Sequence, residues 1–395
     1  MNQYFPNYEK SNLNIASSIM ESFGGNPEYS CLKELPSKEL DKYDNVVFIM
    51  VDGLGYEYVK RKAKGSFLEK HTTAKLTSVF PASTTGAVTS MVTGVAPLQH
   101  AFSEWFIYLK ENKDIMISLP FISLTQKSCK KLKIKDVIKS KSIFSKIKGD
   151  KYFVIQKEYS KSQFSRHISE GSKIKSFETL NQMSETISNL INVKNNDGKD
   201  NLNIKKTNKR KFILAYWDKF DSLSHKFGIN SVQVATHYMQ IDNIMKKMTK
   251  KLKGTNTKII ITADHGLVNS SKNNKIGLFK YEKINECLKF QITGGERVTF
   301  AHVKNSKKKQ FEKYLKLYFG KSLDFIKSED AIKLGLFGKG KIARELKDRI
   351  GDYVLIPKNN YSCIRKKNEQ SNVGVHGGLS KWEMFVPLIE INLFD

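Results

Sequence analysis

The stretch Val46-Val47-Phe48-Ile49-Met50-Val51-Asp52-Gly53 is a continuous apolar run that ends in a carboxylate and a glycine. An apolar run without alternation predicts a β-strand that is buried on both faces, as in the middle of a mostly parallel sheet. Ligands of open α/β sheets bind at the carboxyl ends of such strands. The stretch therefore predicts an α/β fold with a functional edge that includes Asp52.

The composition limits the class of protein. The chain has 395 residues, enough for one large α/β domain with an insertion. No apolar run reaches the roughly 18 residues of a membrane span, and the first residues do not resemble a secretory signal. The four cysteines are far apart, which argues against disulfides and structural zinc. These features predict a cytoplasmic protein without a membrane partner.

The net charge of +28 raises the question of a nucleic-acid partner. A strongly basic chain can bind nucleic acid or another polyanion. The lysines, however, are spread along the whole chain, arginine is scarce, and no ladder of aromatic residues is interleaved with them. A general enrichment in lysine is therefore favoured, and a nuclease or a nucleic-acid-binding protein stays as an alternative.

Two further apolar runs, at 212–217 and 258–263, also predict buried strands with metal-binding groups after their carboxyl ends. A last strand is predicted at 384–391, after a glycine-rich segment that contains a histidine. The carboxylates and imidazoles that collect in this way are Asp52, Asp221, His225, Asp264, His265 and His376.

A hydroxyl group is predicted at the same edge. Ser83 is a good N-cap residue, and the small residues after it predict a tightly packed helix that ends near Gly94. Thr84 then lies in the first turn, where free N–H groups favour an anion. Zinc accepts carboxylate oxygens and imidazole nitrogens and prefers about four ligands, so seven side chains suit a pair of metal ions roughly 4 Å apart.

The order of these motifs resembles the type I phosphodiesterase/nucleotide pyrophosphatase family of the alkaline phosphatase superfamily. The motifs that carry the resemblance are Val51-Asp52-Gly53, Phe80-Pro81 with the Thr84 to Thr93-Gly94 helix, Asp221-Ser222-Leu223-Ser224-His225, Thr262-Ala263-Asp264-His265-Gly266 and Gly374-Val375-His376-Gly377-Gly378. Three more resemble the cytoplasmic prokaryotic branch of the family, namely Gly335-Leu336-Phe337-Gly338, Arg349-Ile350-Gly351-Asp352 and Glu383-Met384-Phe385-Val386-Pro387-Leu388.

The resemblance implies an alkaline-phosphatase-like three-layer α/β sandwich with a mostly parallel central sheet and a small α+β cap insertion. We expect residues 1–279 to form the first part of the core, with an exposed loop at 194–210. Residues 280–358 would form the cap. Residues 359–395 would return to the core and carry the last metal-binding histidine.

The resemblance also implies roles for the collected side chains. One zinc ion would be held by Asp221, His225 and His376, and the other by Asp52, Asp264, His265 and the Thr84 hydroxyl. Thr84 would be the nucleophile, because it stands nine positions before Thr93 of the Thr-Gly pair, as in the family. Without the resemblance, the sequence also allows Thr85 as the nucleophile.

The implied activity is hydrolysis of phosphodiester or pyrophosphate bonds in a small phosphorylated or nucleotide substrate, through a phosphothreonine-type intermediate. Phosphomonoesterases and phosphonate hydrolases share the same core and are alternatives. A sulfatase is disfavoured because no cysteine lies near residue 84. Some family members have a phosphate-contacting Asn where this chain has Ala87. Candidates for contacting the substrate are Thr85, Arg166 and Arg297.

Overall fold

The computed structural model of the protein describes residues 3–124, 132–192, 210–367 and 372–394. The predicted loop at 194–210 lies outside the described residues except for Arg210, whose guanidinium bonds the carbonyl oxygens of Leu40 and Tyr43. Within the described ranges, no helix combines the length and the apolar character that crossing a membrane requires.

Strands and helices alternate along much of the described chain. The strands are β1 (Asn45–Val51), β2 (Thr72–Thr77), β3 (Phe106–Leu109), β4 (Asp114–Ile117), β5 (Ile122–Ser123), β6 (Asp150–Gln156), β7 (Lys173–Phe177), β8 (Lys211–Trp217), β9 (Thr257–Thr262), β10 (Val268–Asn269), β11 (Lys275–Gly277), β12 (Thr293–Gly294), β13 (Thr299–Ala301), β14 (Leu323–Lys327), β15 (Tyr353–Pro357), β16 (Ser362–Ile364), β17 (Gly374–Val375) and β18 (Phe385–Asn392).

The α-helices are α1 (Asn12–Ser22), α2 (Ser37–Leu40), α3 (Tyr56–Lys62), α4 (Phe67–Lys70), α5 (Thr84–Thr93), α6 (Pro97–His100), α7 (Ile134–Val137), α8 (Ile143–Lys146), α9 (Gln163–Ile168), α10 (Leu180–Ile191), α11 (Lys219–Phe227), α12 (Val232–Lys251), α13 (Glu282–Asn285), α14 (Lys308–Phe319), α15 (Ser328–Lys333), α16 (Leu346–Ile350) and α17 (Lys381–Met384). Short 3-10 turns lie at Lys272–Asn274, Leu278–Lys280 and Asn305–Lys307.

The central sheet has the strand order β2-β18-β9-β1-β8-β6-β7. β1 pairs in parallel with β8 and β9, and β6 pairs in parallel with β8 and β7. β18 runs antiparallel to both of its neighbours, β9 and β2. The predicted α/β fold with a mostly parallel central sheet is therefore confirmed.

The apolar run at residues 46–51 forms β1, the middle strand of this sheet. Every residue of β1 is buried, and Val46 to Val51 have a relative exposure of 0%. Each fully buried side chain of this type stabilises the fold by about 1.5–3 kcal/mol relative to an exposed one. Because both faces of this strand are covered by other parts of the protein, its sequence does not alternate between apolar and polar residues.

Two groups of helices pack with this sheet. In one group, α1 packs on α2 and α5, and α5 packs on α8 and α9. In the other, α12 packs on α10, α11 and α4, and α10 packs on β6, β7 and β8. The helices and the sheet together give the predicted layered α/β sandwich.

A second, antiparallel sheet has the strand order β14-β15-β13-β12-β3-β4-β5. β12 to β15 come from within the predicted cap range, whereas β3 to β5 precede it in the sequence and join through the pairing of β12 with β3. The structure thus draws this sheet from two parts of the chain. The division into residues 1–279, 280–358 and 359–395 stays a prediction.

A short antiparallel pair joins the end of the chain to the central sheet. β10 pairs with β17, with Val268 opposite Val375 and Asn269 opposite Gly374. β10 follows β9 closely in the sequence, so this pairing brings the residue after Val375 to the carboxyl end of β9. His376 is positioned in this way.

Candidate active site

The predicted metal-binding groups meet at the carboxyl edge of the central sheet. β8, β1 and β9 are adjacent parallel strands, so their carboxyl ends lie side by side. Asp52 directly follows β1, and Asp264 and His265 follow β9. Asp221 and His225 lie one turn apart on α11, which begins just after β8. All of these groups therefore project from one edge.

Thr84 is the first residue of α5, as the sequence predicts. Ser83 occupies the N-cap position with an extended backbone, and Gly94 ends the helix with a left-handed φ of 72°. The Ser83 hydroxyl does not cap the helix and instead donates to the carbonyl oxygen of Ser103 at 3.2 Å. The first N–H groups of α5 lack partners within the helix, and they lie beside Thr84.

The hydroxyl of Thr84 faces the carboxylate and imidazole groups. Its Oγ1 lies 3.1 Å from His265 Nε2 and 3.5 Å from Asp52 Oδ2. The Thr85 hydroxyl is turned elsewhere and lies 2.8 Å from the hydroxyl of Ser118. Between the two threonines that the sequence allows as nucleophile, the geometry favours Thr84.

Asp264 is held by backbone groups of the two strand ends. Its Oδ1 accepts the N–H groups of Gly53 and His265, both at 3.0 Å. Its Oδ2 is buried, has no hydrogen-bond partner and lies 3.4 Å from His265 Nε2. One oxygen therefore fixes the carboxylate, and the other points into the site.

Asp221, His225 and His376 form the second half of the site. Asp221 Oδ2 lies 3.0 Å from His225 Nε2, and His225 Nδ1 donates to the carbonyl oxygen of Gly374 at 2.7 Å. The ring of His376 stacks on that of His265, with centroids 3.7 Å apart and planes 15° apart. His265 therefore joins the two halves.

The electrostatics of the site favour a bound cation. Burial, together with the negative charges of Asp264 and Asp221, raises the pKa of Asp52 well above its usual range. Burial alone would raise the pKa of Asp221 and lower that of His225, but their mutual attraction lowers the first and raises the second to about 9. Three carboxylates in one buried site repel each other unless positive charge is close.

Ligand atoms are gathered within reach of one ion at two places. One group contains Asp52, Asp264 and His265, and the other contains Asp221, His265 and His376, with ligand atoms within 4.8 Å of one another. Four of their atoms are buried without a hydrogen-bond partner, namely Asp52 Oδ1, Asp221 Oδ1, Asp264 Oδ2 and His376 Nδ1. Unpartnered buried polar atoms are costly, so this donor set of oxygen and nitrogen fits divalent metal binding.

Tyr216 is a site residue that the sequence analysis missed. It lies near the end of β8, opposite Met50 of β1, and its hydroxyl donates to Asp52 Oδ2. Nothing in the sequence singles it out, because the contact depends on the register between two strands. The bond orients the Asp52 carboxylate, so Tyr216 supports a candidate ligand from outside the ligand set.

We expect Tyr216→Phe to weaken metal binding by roughly 10- to 100-fold, the range for losing a group that orients a ligand. The fold should be unaffected, since the ring is retained. Competition with a chromophoric zinc chelator measures the change. Tyr152→Phe, on the neighbouring strand β6, is the control and should bind metal as the unmodified protein does. Unchanged affinity in Tyr216→Phe would refute the role of this hydroxyl.

The two candidate arginines lie in different settings. Arg166 is exposed on α9 and does not line the cavity that opens beside Thr84. Arg297 is buried, and its Nε and Nη2 donate to the two carboxylate oxygens of Glu383, both at 2.8 Å. The structure therefore brings neither guanidinium to the Thr84 hydroxyl, and substrate binding by them stays a prediction.

The Arg297–Glu383 pair predicts an effect on stability. Arg297→Ala leaves a fully buried carboxylate without its partner, which costs about 3–5 kcal/mol of unfolding free energy. Arg166→Ala removes an exposed side chain and should change the unfolding free energy by no more than about 0.5 kcal/mol. Urea denaturation of the two variants compares them. Normal stability with a raised KM in Arg297→Ala would instead identify a substrate contact.

A cavity of about 740 Å³ opens beside Thr84. One part of its wall is formed by the candidate site, including Asp52, Asp221, His225 and His376. The other part is aromatic and aliphatic, and it includes Trp105, Phe106, Leu119, Phe153, Ile155 and Phe164. A cavity with one polar and one apolar wall suits a small substrate that joins a charged group to an organic group.

Solved structures with the same fold cover most of the chain. Murine ectonucleotide pyrophosphatase/phosphodiesterase 5 has 16% sequence identity and a TM-score of 0.64, with 87% of each chain covered. Its inactive Thr-to-Ala variant in complex with AMP has 15% identity and the same TM-score of 0.64, again with 87% of each chain covered. Phosphonoacetate hydrolase from Sinorhizobium meliloti 1021, in complex with phosphonoformate, has 14% identity and a TM-score of 0.61, covering 87% of this chain and 89% of that one. These likenesses confirm the alkaline-phosphatase-like fold.

Comparison with protein-family models also covers most of the chain. No curated protein sequence matches the chain. The family model described as type I phosphodiesterase / nucleotide pyrophosphatase matches residues 46–379, which include all seven groups of the candidate site. Members of this family depend on divalent metal ions and hydrolyse phosphoric ester bonds. The chain belongs to the type I phosphodiesterase/nucleotide pyrophosphatase family.

Proposed function

We propose that the protein cleaves phosphodiester or pyrophosphate bonds in a small phosphorylated or nucleotide substrate, through a phosphothreonine-type intermediate on Thr84 at a two-zinc site. The observation that carries the proposal is the position of the Thr84 hydroxyl, 3.1 Å from His265 Nε2, among buried carboxylates with unpartnered oxygens. A hydroxyl in such a place is suited to attack a phosphoryl group that is held by the same site.

The proposed ligand sets follow the two halves of the site. One ion would be held by Asp221, His225 and His376, and the other by Asp52, Asp264, His265 and Thr84. When bound, the two zinc ions would supply Lewis acidity, which lowers the pKa of the threonine hydroxyl and offsets the negative charge of the phosphoryl group.

The reaction consists of two displacements at phosphorus, both involving the Thr84 side chain. Thr84 Oγ1 forms a bond to phosphorus as the bond from phosphorus to the leaving oxygen breaks; the hydroxyl proton passes to solvent water, and the leaving oxygen takes up a proton from solvent. A water molecule then attacks the same phosphorus as the bond from phosphorus to Thr84 Oγ1 breaks; one proton of that water returns to Oγ1, and its oxygen stays on the phosphate product. Free N–H groups at the start of α5 can donate to the non-bridging oxygens in both steps.

The comparisons support a threonine-dependent reaction on a phosphorylated ligand. The murine relative is inactive as a Thr-to-Ala variant, and that variant is in complex with AMP. The bacterial phosphonoacetate hydrolase is in complex with phosphonoformate in one structure and with phosphonoacetate in another. Phosphonate hydrolysis is therefore the second candidate function, and a phosphomonoesterase on the same core is a third.

The charge of the cavity does not favour nucleic acid. The chain has 67 Lys and Arg residues, but none of the described residues that line the cavity is a lysine or an arginine. A polyanion gains most of its affinity from such side chains. Among the described residues, the lysines and arginines therefore do not form the wall of this cavity.

A panel of substrates tests the proposal. It compares bis-p-nitrophenyl phosphate, p-nitrophenyl phosphate, a nucleoside triphosphate, a dinucleotide and phosphonoacetate, each with added zinc and with chelator. The proposal expects zinc-dependent turnover that is fastest for a diester or a pyrophosphate. Turnover of phosphonoacetate alone would favour the second candidate.

A cytoplasmic location and membership of the cytoplasmic prokaryotic branch belong to the same proposal. Three described cysteines, Cys31, Cys287 and Cys363, are free thiols, and two of them are buried. Free thiols suit a reducing compartment.

A further inference from the structure

Glu104 is a buried carboxyl group that the proposed reaction has not used. It lies in the segment between α6 and β3, has a relative exposure of 2% and lines the same cavity as Thr84 and His376. A Cβ added to Gly295 or Gly377 would lie 2.9 Å or 3.1 Å from Glu104 Oε1, so this oxygen packs between two backbone segments, one of them next to His376. The carboxyl group is therefore part of the wall of the cavity.

One oxygen of this carboxyl group is fixed and the other is not. Oε2 accepts the N–H of Trp105 at 2.9 Å. Oε1 is buried and has no hydrogen-bond partner. An unpartnered polar atom inside a protein is costly, and at the wall of a cavity it can be satisfied by a ligand.

The charged groups around Glu104 are already engaged. From the turn between β12 and β13, Glu296 pairs with Lys275 at 3.1 Å, and Arg297 pairs with Glu383. The start of α5 contributes the neutral hydroxyl of Ser83, and the segment after β17 contributes His376. No described lysine or arginine lies within ion-pair distance of Glu104. Within the described residues Glu104 therefore has no ion-pair partner, and the guanidinium of Arg365 lies over the ring of Phe106, 3.5 Å from its centroid.

These surroundings favour the protonated form of the side chain. Burial raises the pKa of Glu104 to about 8, although the N–H of Trp105 opposes the shift. A protonated carboxyl group has an O–H to donate, whereas a carboxylate only accepts. A phosphoryl oxygen only accepts, so it can pair with the protonated form.

We propose that Glu104 donates a hydrogen bond from its unpartnered oxygen to a non-bridging oxygen of the bound phosphoryl group. Its hydrogen bond would replace one from an arginine or lysine, because neither residue type lines the described wall of the cavity. The role makes Glu104 a substrate-contacting residue of this chain. The inference rests on the proposed function of the same site.

Two substitutions separate donation from negative charge. Glu104→Gln keeps the shape of the side chain and offers a permanent N–H donor, so we expect its kcat/KM for bis-p-nitrophenyl phosphate to stay within about threefold of wild type. Glu104→Ala removes the donor, and we expect a loss of roughly 10- to 100-fold, the range for a hydrogen bond to a charged group. Bound zinc should be the same in all three proteins.

The pH profile is a second readout. Burial raises the pKa of this carboxyl group, so it keeps its proton at neutral pH, and wild-type kcat/KM should fall as pH rises through that pKa. Glu104→Gln has no proton to lose, so this fall should be absent from its profile. Glu158→Gln changes an exposed acid at the rim of the same cavity and serves as the matched control, with the profile of the wild type.

Each contrary outcome has a distinct meaning. Equal losses in Glu104→Gln and Glu104→Ala would overturn the proposal, because a negative charge would then be required. Loss of zinc from Glu104→Ala would overturn it in favour of a metal ligand. Wild-type activity in Glu104→Ala would overturn it and leave the proposed function intact. Absence of zinc-dependent turnover in the wild type itself would remove the proposed function as well.

Discussion

Replacing Thr84 by alanine is expected to lower the rate of phosphodiester hydrolysis by roughly 10⁴- to 10⁶-fold, as for other covalent nucleophiles. The reason is that the variant has no oxygen at the place where the hydroxyl faces His265 and Asp52. Three carboxylates and three imidazoles remain, so bound zinc should stay near the wild-type amount. Steady-state kinetics and metal analysis of the same sample measure both quantities.

Two variants of the same helix control this experiment. Thr84→Ser keeps a hydroxyl and should recover part of the activity. Thr93→Ala removes a hydroxyl at the other end of α5, where it bonds the carbonyl oxygen of Thr89 at 2.6 Å, and should leave the rate unchanged. Full activity in Thr84→Ala would show that Thr84 is not the nucleophile and would direct the search to Thr85.

Replacing Asp264 by asparagine is expected to give the largest loss of metal. One oxygen of Asp264 is used by the N–H groups of Gly53 and His265, so the other is the atom that can bind an ion. Loss of its charge should reduce zinc affinity by more than about 100-fold, since even groups outside the ligand set contribute about 10- to 100-fold. Metal analysis should find fewer than the roughly two ions expected for such a site.

Asp242→Asn is the matched control for this loss. Asp242 is a buried carboxylate on α12 that accepts the N–H groups of Phe67 and Leu68. The change should leave the zinc content as it is, even if stability falls. His376→Ala should lower the zinc content as Asp264→Asn does. An Asp264→Asn variant that binds zinc as tightly as the wild type would contradict the ligand assignment.

The sequence could predict the parts of the fold that depend on local patterns. The apolar runs identified β1, β8 and β9, because strands buried on both faces need continuous apolar residues. Strand direction then followed, since parallel strands deliver their last residues to one edge. This logic collected Asp52, Asp221 and Asp264 before any distance was known.

The sequence could not predict contacts that depend on register or on distant segments. Tyr216 contacts Asp52 only because β8 pairs with β1 in one register. Glu104 lies at the site because the segment before β3 packs against Gly295 and Gly377. The second sheet joins strands on either side of the long segment from β6 to β11, and no local pattern encodes that pairing.

Arg297 shows a further limit. A guanidinium near a phosphate site is a reasonable candidate for a substrate contact, and composition cannot distinguish it from a structural one. The structure places it against Glu383, which also accepts the N–H of Gly378 at 2.9 Å and the hydroxyl of Ser380 at 2.6 Å. The pair links the turn between β12 and β13 to α17 and, through the Gly378 N–H, to the segment that carries His376.

The stereochemistry of hydrolysis tests the covalent mechanism most directly. Each in-line displacement inverts the configuration at phosphorus, so attack by Thr84 followed by attack by water gives two inversions. A chiral phosphorothioate diester is hydrolysed in ¹⁸O-labelled water, and the configuration of the product is determined. We predict net retention. Net inversion would show that water attacks the substrate directly, and it would contradict a phosphothreonine-type intermediate.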